Sequence, residues 1–196
     1  MRANTFTGAV VEIKGRHIAG LTGALALAGT LITYFESPGG MPVLHTYPDP
    51  ASGGAPWTYC DGETQHPQFG HAYTVAECDT ETSVRVRATD AAVLACTRLD
   101  LPNNARAAFD SLAWNIGNGA FCNSSAAGWA KLGNLEVACQ VMTRFNRAGG
   151  AVMPGLVFRR DQESKVCALD ATGIWKTSHP YVAPATPIPD PLHGVY

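Results

Sequence analysis

A chain of 196 residues with 46% apolar side chains is long enough for one main domain with a buried core and some length to spare. Its formal net charge of −2 is uneven: residues 1–35 carry Arg2, Lys14 and Arg16 against Glu12, so of 14 basic and 16 acidic side chains the body keeps 11 and 15. No lysine- or arginine-rich run lies in that body, which excludes the electrostatic footprint of a duplex binder, and nucleic acid is not expected as a partner.

In chain order, the first expected element is residues 18–35, an uncharged stretch that follows Lys14, Arg16 and His17. A bilayer core takes about 20 apolar residues, so the stretch is marginal in length, and its glycines and threonines make its hold on a membrane weak. The positive flank places the N-terminus in the cytoplasm and everything after Phe35 outside. A cleaved leader needs small residues at the cut, and Thr33-Tyr34-Phe35-Glu36 offers none. A permanent anchor would be richer in Leu, Ile and Val. A buried core helix and an uncleaved segment that inserts and later escapes remain as readings of the same residues.

From Ser37 to Gly70 the chain is dense in Gly, Pro, Thr and Tyr without helical periodicity, so loops with short strands or a hairpin are expected there. Thr74-Val-Ala-Glu77 is a capping-box pattern opening a helix that runs to Cys96. Pro102-Asn103-Asn104 predicts a cap for a period-3.6 stripe of Ala105, Ala108, Phe109, Leu112, Ala113 and Ile116, the buried centre of the fold, ended by Gly117 and Gly119. Shorter helices fit 124–132 and 134–145, and a last one 155–169. The tail from Ser178, rich in proline, is expected to be extended. The result is an α+β, mostly α architecture: a small β/loop lobe, a larger helical lobe and an N-terminal segment, with boundaries at 1–35, 36–175 and 176–196.

All six cysteines, Cys60, Cys78, Cys96, Cys122, Cys139 and Cys167, lie after residue 59, at least sixteen residues apart and never as CxxC. That spacing argues against a zinc ribbon or redox motif and for three disulfides in an oxidising compartment. The six histidines form no HExxH, and no Walker loop, dinucleotide fingerprint or GxSxG is present, so no metal or cofactor is expected. Cys60 near His66 or His71 could imitate a cysteine protease, but an oxidising compartment favours a cystine.

One constellation carries chemistry. Glu36 comes just after the apolar segment, then Tyr47-Pro48-Asp49, then Trp57-Thr58 leading into Asp61-Gly62-Glu63-Thr64. Further on lie Ser111-Leu-Ala-Trp-Asn-Ile-Gly-Asn-Gly-Ala-Phe-Cys122, Arg144-Phe-Asn-Arg-Ala-Gly-Gly150, and a Gly-Leu-x-x-Arg-Arg-x-x-Glu run from Gly155 to Glu163. In this order, over about residues 34–169, the pieces resemble the phage-type lysozymes, and especially the secreted lambdoid endolysins. The resemblance implies a lysozyme-like fold and a muramidase that cuts the glycan strands of peptidoglycan, as a monomer, with Glu36, Asp49 and Thr58 as its catalytic residues and inversion at the anomeric carbon.

The residue types suit that chemistry by themselves. Glycoside hydrolysis needs an acid to protonate the leaving oxygen and a carboxylate to activate water. Glu36 follows Tyr34 and Phe35, an apolar setting fit for a proton donor. Asp49 sits among prolines and a Gly-rich loop open to water, and the Thr58 hydroxyl can orient a hydrolytic water. Read without the resemblance, the three are a helix-end charge, a turn former and a strand residue. Glu63, Trp114, Asn115 and Phe145 are expected to contact sugar, with Trp114 and Phe145 equally suited to a core. Arg159 and Arg160 fit either a pairing with Glu36 or Asp49 or a solvated helix face.

The chain departs from the family pattern in three places. Ser37 replaces the usual glycine after the catalytic glutamate, the spacings from Glu36 to Asp49 and from Asp49 to Thr58 are longer, and Glu63 stands where relatives often have histidine. Glu63 or Asp61 is therefore a rival for the second carboxylate. Similar endolysins are exported, held inactive at the inner membrane, and released to the periplasm when the membrane depolarises. With no cysteine before Cys60, refolding of residues 18–35 rather than disulfide exchange is the expected activation. The disulfide hypothesis pairs Cys60 with Cys78, Cys96 with Cys167, and Cys122 with Cys139. A lytic transglycosylase or a non-enzymatic envelope binding protein stands as the alternative function.

Overall fold

The structure is a computed structural model that describes residues 15–48 and 54–169. Asp49 and the proline-rich tail of 176–196 lie outside the described residues. The described residues fall into two compact units, residues 15–88 and residues 89–169, here called the N-terminal and C-terminal units.

The N-terminal unit opens with α1, Gly23–Glu36. Ala24, Ala28, Leu31 and Ile32 are buried at i, i+4, i+7 and i+8, one stripe of a 3.6-residue period, and Ile18 and Leu21 are buried ahead of it. The stretch expected to sit in a membrane is thus packed as core in this unit. Among the described residues, no helix is long and apolar enough to cross a membrane. After a 3-10 turn at Pro38–Gly40 come β1, Val43–Pro48, and β2, Trp57–Cys60, an antiparallel pair in the region expected to hold a hairpin. Val43 pairs with Cys60, Tyr47 with Thr58 and Pro48 with Trp57, with an irregularity between Val43 and Tyr47.

Helix α2, Val75–Cys96, begins in this unit and ends in the other. Its start is the expected capping box: the Thr74 hydroxyl accepts from the Glu77 N–H at 3.2 Å, while a Glu77 carboxylate oxygen accepts from the Thr74 N–H at 2.7 Å. A small core of Tyr59, Cys60, Tyr73 and Cys78, with Leu44 against it, joins the hairpin to the start of α2. The Tyr59 and Tyr73 rings stack at 4.5 Å, and burial pushes the Tyr59 phenol up to about 12.

The C-terminal unit is helical: α3 Asn103–Ile116, α4 Asn118–Cys122, α5 Ser125–Lys131, α6 Leu135–Val141 and α7 Pro154–Cys167. Helix α3 is buried almost without break from Ala105 to Trp114 and packs on α7. It is the expected buried centre. Ser124 and Asn134 cap α5 and α6 through Ala127 N and Val137 N. The cap expected from Asn104 goes elsewhere: its amide donates to the carbonyls of Val166, Cys167 and Leu169, the unsatisfied end of α7. A short hairpin, β3 Arg147–Ala148 with β4 Ala151–Val152, turns on Gly149 and Gly150, both with positive φ, a pattern the sequence reading passes over.

The six cysteines form three disulfides, Cys60–Cys78, Cys96–Cys122 and Cys139–Cys167. The first is the expected pair. The expected Cys96–Cys167 and Cys122–Cys139 pairs are corrected: α4 brings Cys122 to the end of α2, and α6 lies against α7, so each cysteine meets the neighbour that helix packing supplies.

Candidate active site

Glu36 is the last residue of α1 and is half-buried. Tyr34 and Phe35 precede it with their rings edge-on at 5.0 Å, the apolar company expected of it. Its carboxylate rests against Gly62: a Cβ on that glycine would lie 3.5 Å from Glu36 Oε2. Gly62 has φ +84°, the left-handed region, so a side chain there is strained by the backbone although a Cβ would meet the carboxylate only at van der Waals distance.

A buried carboxylate organises the ground beneath Glu36. Asp61 is fully buried, and both its oxygens are engaged. The Arg16 guanidinium donates to Oδ1 at 3.2 Å and to Oδ2 at 2.5 Å, Thr82 Oγ1 donates to Oδ2 at 2.7 Å, and Ser37 Oγ donates to Oδ1. Asp61 therefore has no oxygen left over for a water, and as a rival second carboxylate it is disfavoured. Ser37 is buried and spends its hydroxyl on this contact.

Glu63 is also buried, and it accepts from Arg85 Nη1 at 3.1 Å, the same nitrogen that reaches the Gly62 carbonyl at 3.1 Å. Burial raises the Glu63 carboxyl above its ordinary range, with Arg85 opposing. The backbone of Glu63 is bridged to Tyr59 by two hydrogen bonds of 2.9 Å, which closes the turn over Asp61 and Gly62.

Thr58 lies on β2 opposite Tyr47, buried, its hydroxyl 3.3 Å from the Pro56 carbonyl oxygen to which it donates. Pro48, the residue before Asp49, pairs with Trp57, the residue before Thr58. Glu36, Thr58 and Glu63 thus belong to the N-terminal unit.

Trp114, Asn115 and Phe145 belong to the C-terminal unit. Trp114 is buried at the end of α3, Asn115 is exposed and Phe145 is half-buried. Asn115 Oδ1 accepts from Arg160 Nη2 at 3.1 Å. Arg160 and Arg159 are buried and paired with Glu163, whose carboxylate also accepts from the Ser111 hydroxyl at 2.6 Å, so neither arginine is on a solvated face.

Two groups escape sequence reading. Arg16 looks like the flank of an apolar segment, and only the need of a buried aspartate for a cation could have pointed to it. Asp110 is fully buried on α3 near Asp90 and Arg106, and burial together with Asp90 pushes its carboxyl up to about 8.

Residues 40–163 match the family model described as phage lysozyme. The SAR-endolysin of Enterobacteria phage P21 is 31% identical over 146 residues, covering 74% of this chain and 88% of that protein. The SAR-endolysin of Bacteriophage PS119 is 31% identical over 151 residues, covering 74% and 87%. Among solved structures, the active form of P1 phage endolysin Lyz superposes with a TM-score of 0.64 at 23% identity, covering 72% of this chain and 82% of that one. The muramidase domain of SpmX from Asticaccaulis excentricus also superposes with a TM-score of 0.64 at 23% identity, covering 79% and 100%. These superpositions agree with the lysozyme-like fold expected from the sequence, and the chain belongs to the phage lysozyme family.

Proposed function

We propose that this chain is an endolysin muramidase, hydrolysing the bond between N-acetylmuramic acid and N-acetylglucosamine in peptidoglycan and so lysing the host to release phage progeny. Membership of a lysozyme family makes glycoside hydrolysis its chemistry. The observation that carries the assignment of roles is the seat of the Glu36 carboxylate on Gly62, at the exit of the hairpin strand that bears Thr58. Glu36 gives its proton to the glycosidic oxygen as the bond to the anomeric carbon breaks. Asp49 takes a proton from the water that attacks the opposite face of the sugar, and the Thr58 hydroxyl orients that water. Inversion requires the two carboxyl groups to stand about 6.5–9.5 Å apart. Glu63 in the N-terminal unit, and Trp114, Asn115 and Phe145 in the C-terminal unit, serve as sugar contacts.

Before release, residues 18–35 tether the exported chain to the inner membrane, in keeping with the SAR-endolysin names of its relatives. In that state the acid at position 36 is pinned at the bilayer surface. Release to the periplasm lets the segment fold as the core helix described above, and the enzyme acts as a monomer.

A turbidity assay on permeabilised Gram-negative cells tests the reading: Glu36→Gln should fold and lose turnover, and an active, folded Glu36→Gln removes the residue from the mechanism. Mass analysis of the products checks the reaction class, since an anhydro sugar end would mean transglycosylation instead of hydrolysis.

A further inference from the structure

Within the N-terminal unit, the side chain of Arg16 ties the stretch ahead of α1 to the turn that carries Asp61. Arg16 donates through Nε to Asp79 at 2.7 Å, through Nη1 to Asp61 at 3.2 Å and to the Gly40 carbonyl at 3.3 Å, and through Nη2 to Asp61 at 2.5 Å. Its backbone is fixed as well: Arg16 N donates to Thr33 Oγ1 at 2.7 Å, and that hydroxyl's hydrogen is shared between the carbonyls of Arg16 at 3.1 Å and Thr30 at 3.2 Å. Gly15 runs so close to α1 that a Cβ there would meet the Thr30 carbonyl oxygen at 1.8 Å.

Asp61 touches the acid's surroundings on two sides. It holds the hydroxyl of Ser37, the residue after Glu36, and it precedes Gly62, on which the Glu36 carboxylate rests. Asp61 is fully buried and takes two hydroxyls as well as the Arg16 fork, and a buried carboxylate left without its cationic partner is costly, so Arg16 holds this cluster together.

We propose that Arg16 is a positioning residue for Glu36: by neutralising Asp61 it fixes the Ser37–Asp61–Gly62 frame, so the acid is held in place only when the segment preceding α1 is docked. This rests on the reading of Glu36 as the acid. It predicts an effect on turnover beyond any effect on folding, because a small misplacement of a reacting group costs on the order of a hundredfold in rate.

The test uses the full soluble chain on purified peptidoglycan, with kcat and KM normalised to the folded fraction read by near-ultraviolet circular dichroism. Arg16→Ala and Asp61→Asn should each lower kcat by about a hundredfold while KM stays within about twofold. Millimolar guanidinium should restore Arg16→Ala by about fivefold or more, and sodium chloride at equal ionic strength should not. Arg87→Ala is the control: Arg87 ties the same segment through the Gly20 carbonyl at 2.6 Å without touching Asp61, and its kcat should remain that of the parent.

Wild-type kcat per folded molecule in Arg16→Ala, or an equal fall in Arg87→Ala, overturns the proposal. If Arg16→Ala does not fold, Arg16→Lys, which keeps the charge but not the fork of donors, should show an intermediate kcat, and an unchanged one overturns the proposal as well. Glu36→Gln in the same series separates the two claims. An active Glu36→Gln sinks the acid assignment, whereas an inert one beside a fully active Arg16→Ala sinks only the role of Arg16.

Discussion

Gly62 lies under the carboxylate of Glu36, with room for a Cβ only at 3.5 Å from Oε2, and its φ of +84° is one that an L side chain adopts at a cost. The backbone strain falls beside the proposed acid, while the contact itself is an ordinary van der Waals one. Gly62→Ala should destabilise the protein by about 1–2 kcal/mol, the penalty for a left-handed alanine, and should lower kcat more than that loss explains. Urea unfolding beside turnover on peptidoglycan reads both. A variant as active and as stable as the parent would mean that the turn relaxes freely.

Thr58 offers a cleaner separation of chemistry from stability. Among the described residues its hydroxyl makes one hydrogen bond of 3.3 Å, to Pro56, so the isosteric Thr58→Val should cost less than about 1 kcal/mol in unfolding free energy. Loss of a water-orienting group should lower kcat by about a hundredfold. Retained activity in Thr58→Val would remove the hydroxyl from the mechanism.

The Cys60–Cys78 disulfide closes 18 positions and ends one residue before Asp61. Replacing both cysteines by serine should lower stability by about 2–4 kcal/mol in guanidinium unfolding. Peptide mapping without reduction should also recover Cys96 linked to Cys122 and Cys139 linked to Cys167.

Asp110 makes stability depend on pH in a direction unusual for an aspartate. Burial, then Asp90, lift its folded value to about 8 from an ordinary 3.8, so the folded state binds a proton that the unfolded chain gives up in that window. The stability this group contributes is whole below pH about 4 and is lost as pH rises towards about 8. Asp110→Asn should therefore gain progressively on the parent as pH rises from about 4 towards about 8. Thermal or urea unfolding at several pH values checks it, and a constant difference between the two proteins would refute the titration.

Local signals in the sequence were strong where the structure is local. The Thr74–Glu77 capping box and the buried stripe of α3 each rest on contacts three or four residues apart, and both appear where expected. Read without the family motifs, Glu36 is a helix-end charge and Thr58 a strand residue, and they stand at the end of α1 and on β2. Illegible were the features that depend on which distant segments meet. The partner of Cys96 depends on where α4 packs, Asn104 turned from its own helix to the end of α7, and Asp61 read as a possible base because its three side-chain partners come from positions 16, 37 and 82.

For a chain tethered as proposed, the Arg16 clamp has an electrical consequence. The guanidinium starts on the negative side of an energised bilayer and must cross to reach Asp61, uphill by about 2.3 kcal/mol for each 100 mV, with Lys14 adding a similar amount if it follows. Voltage then holds the bolt away from its keeper. When the voltage collapses, the same charge that kept the segment threaded is free to seal the enzyme that it had kept open.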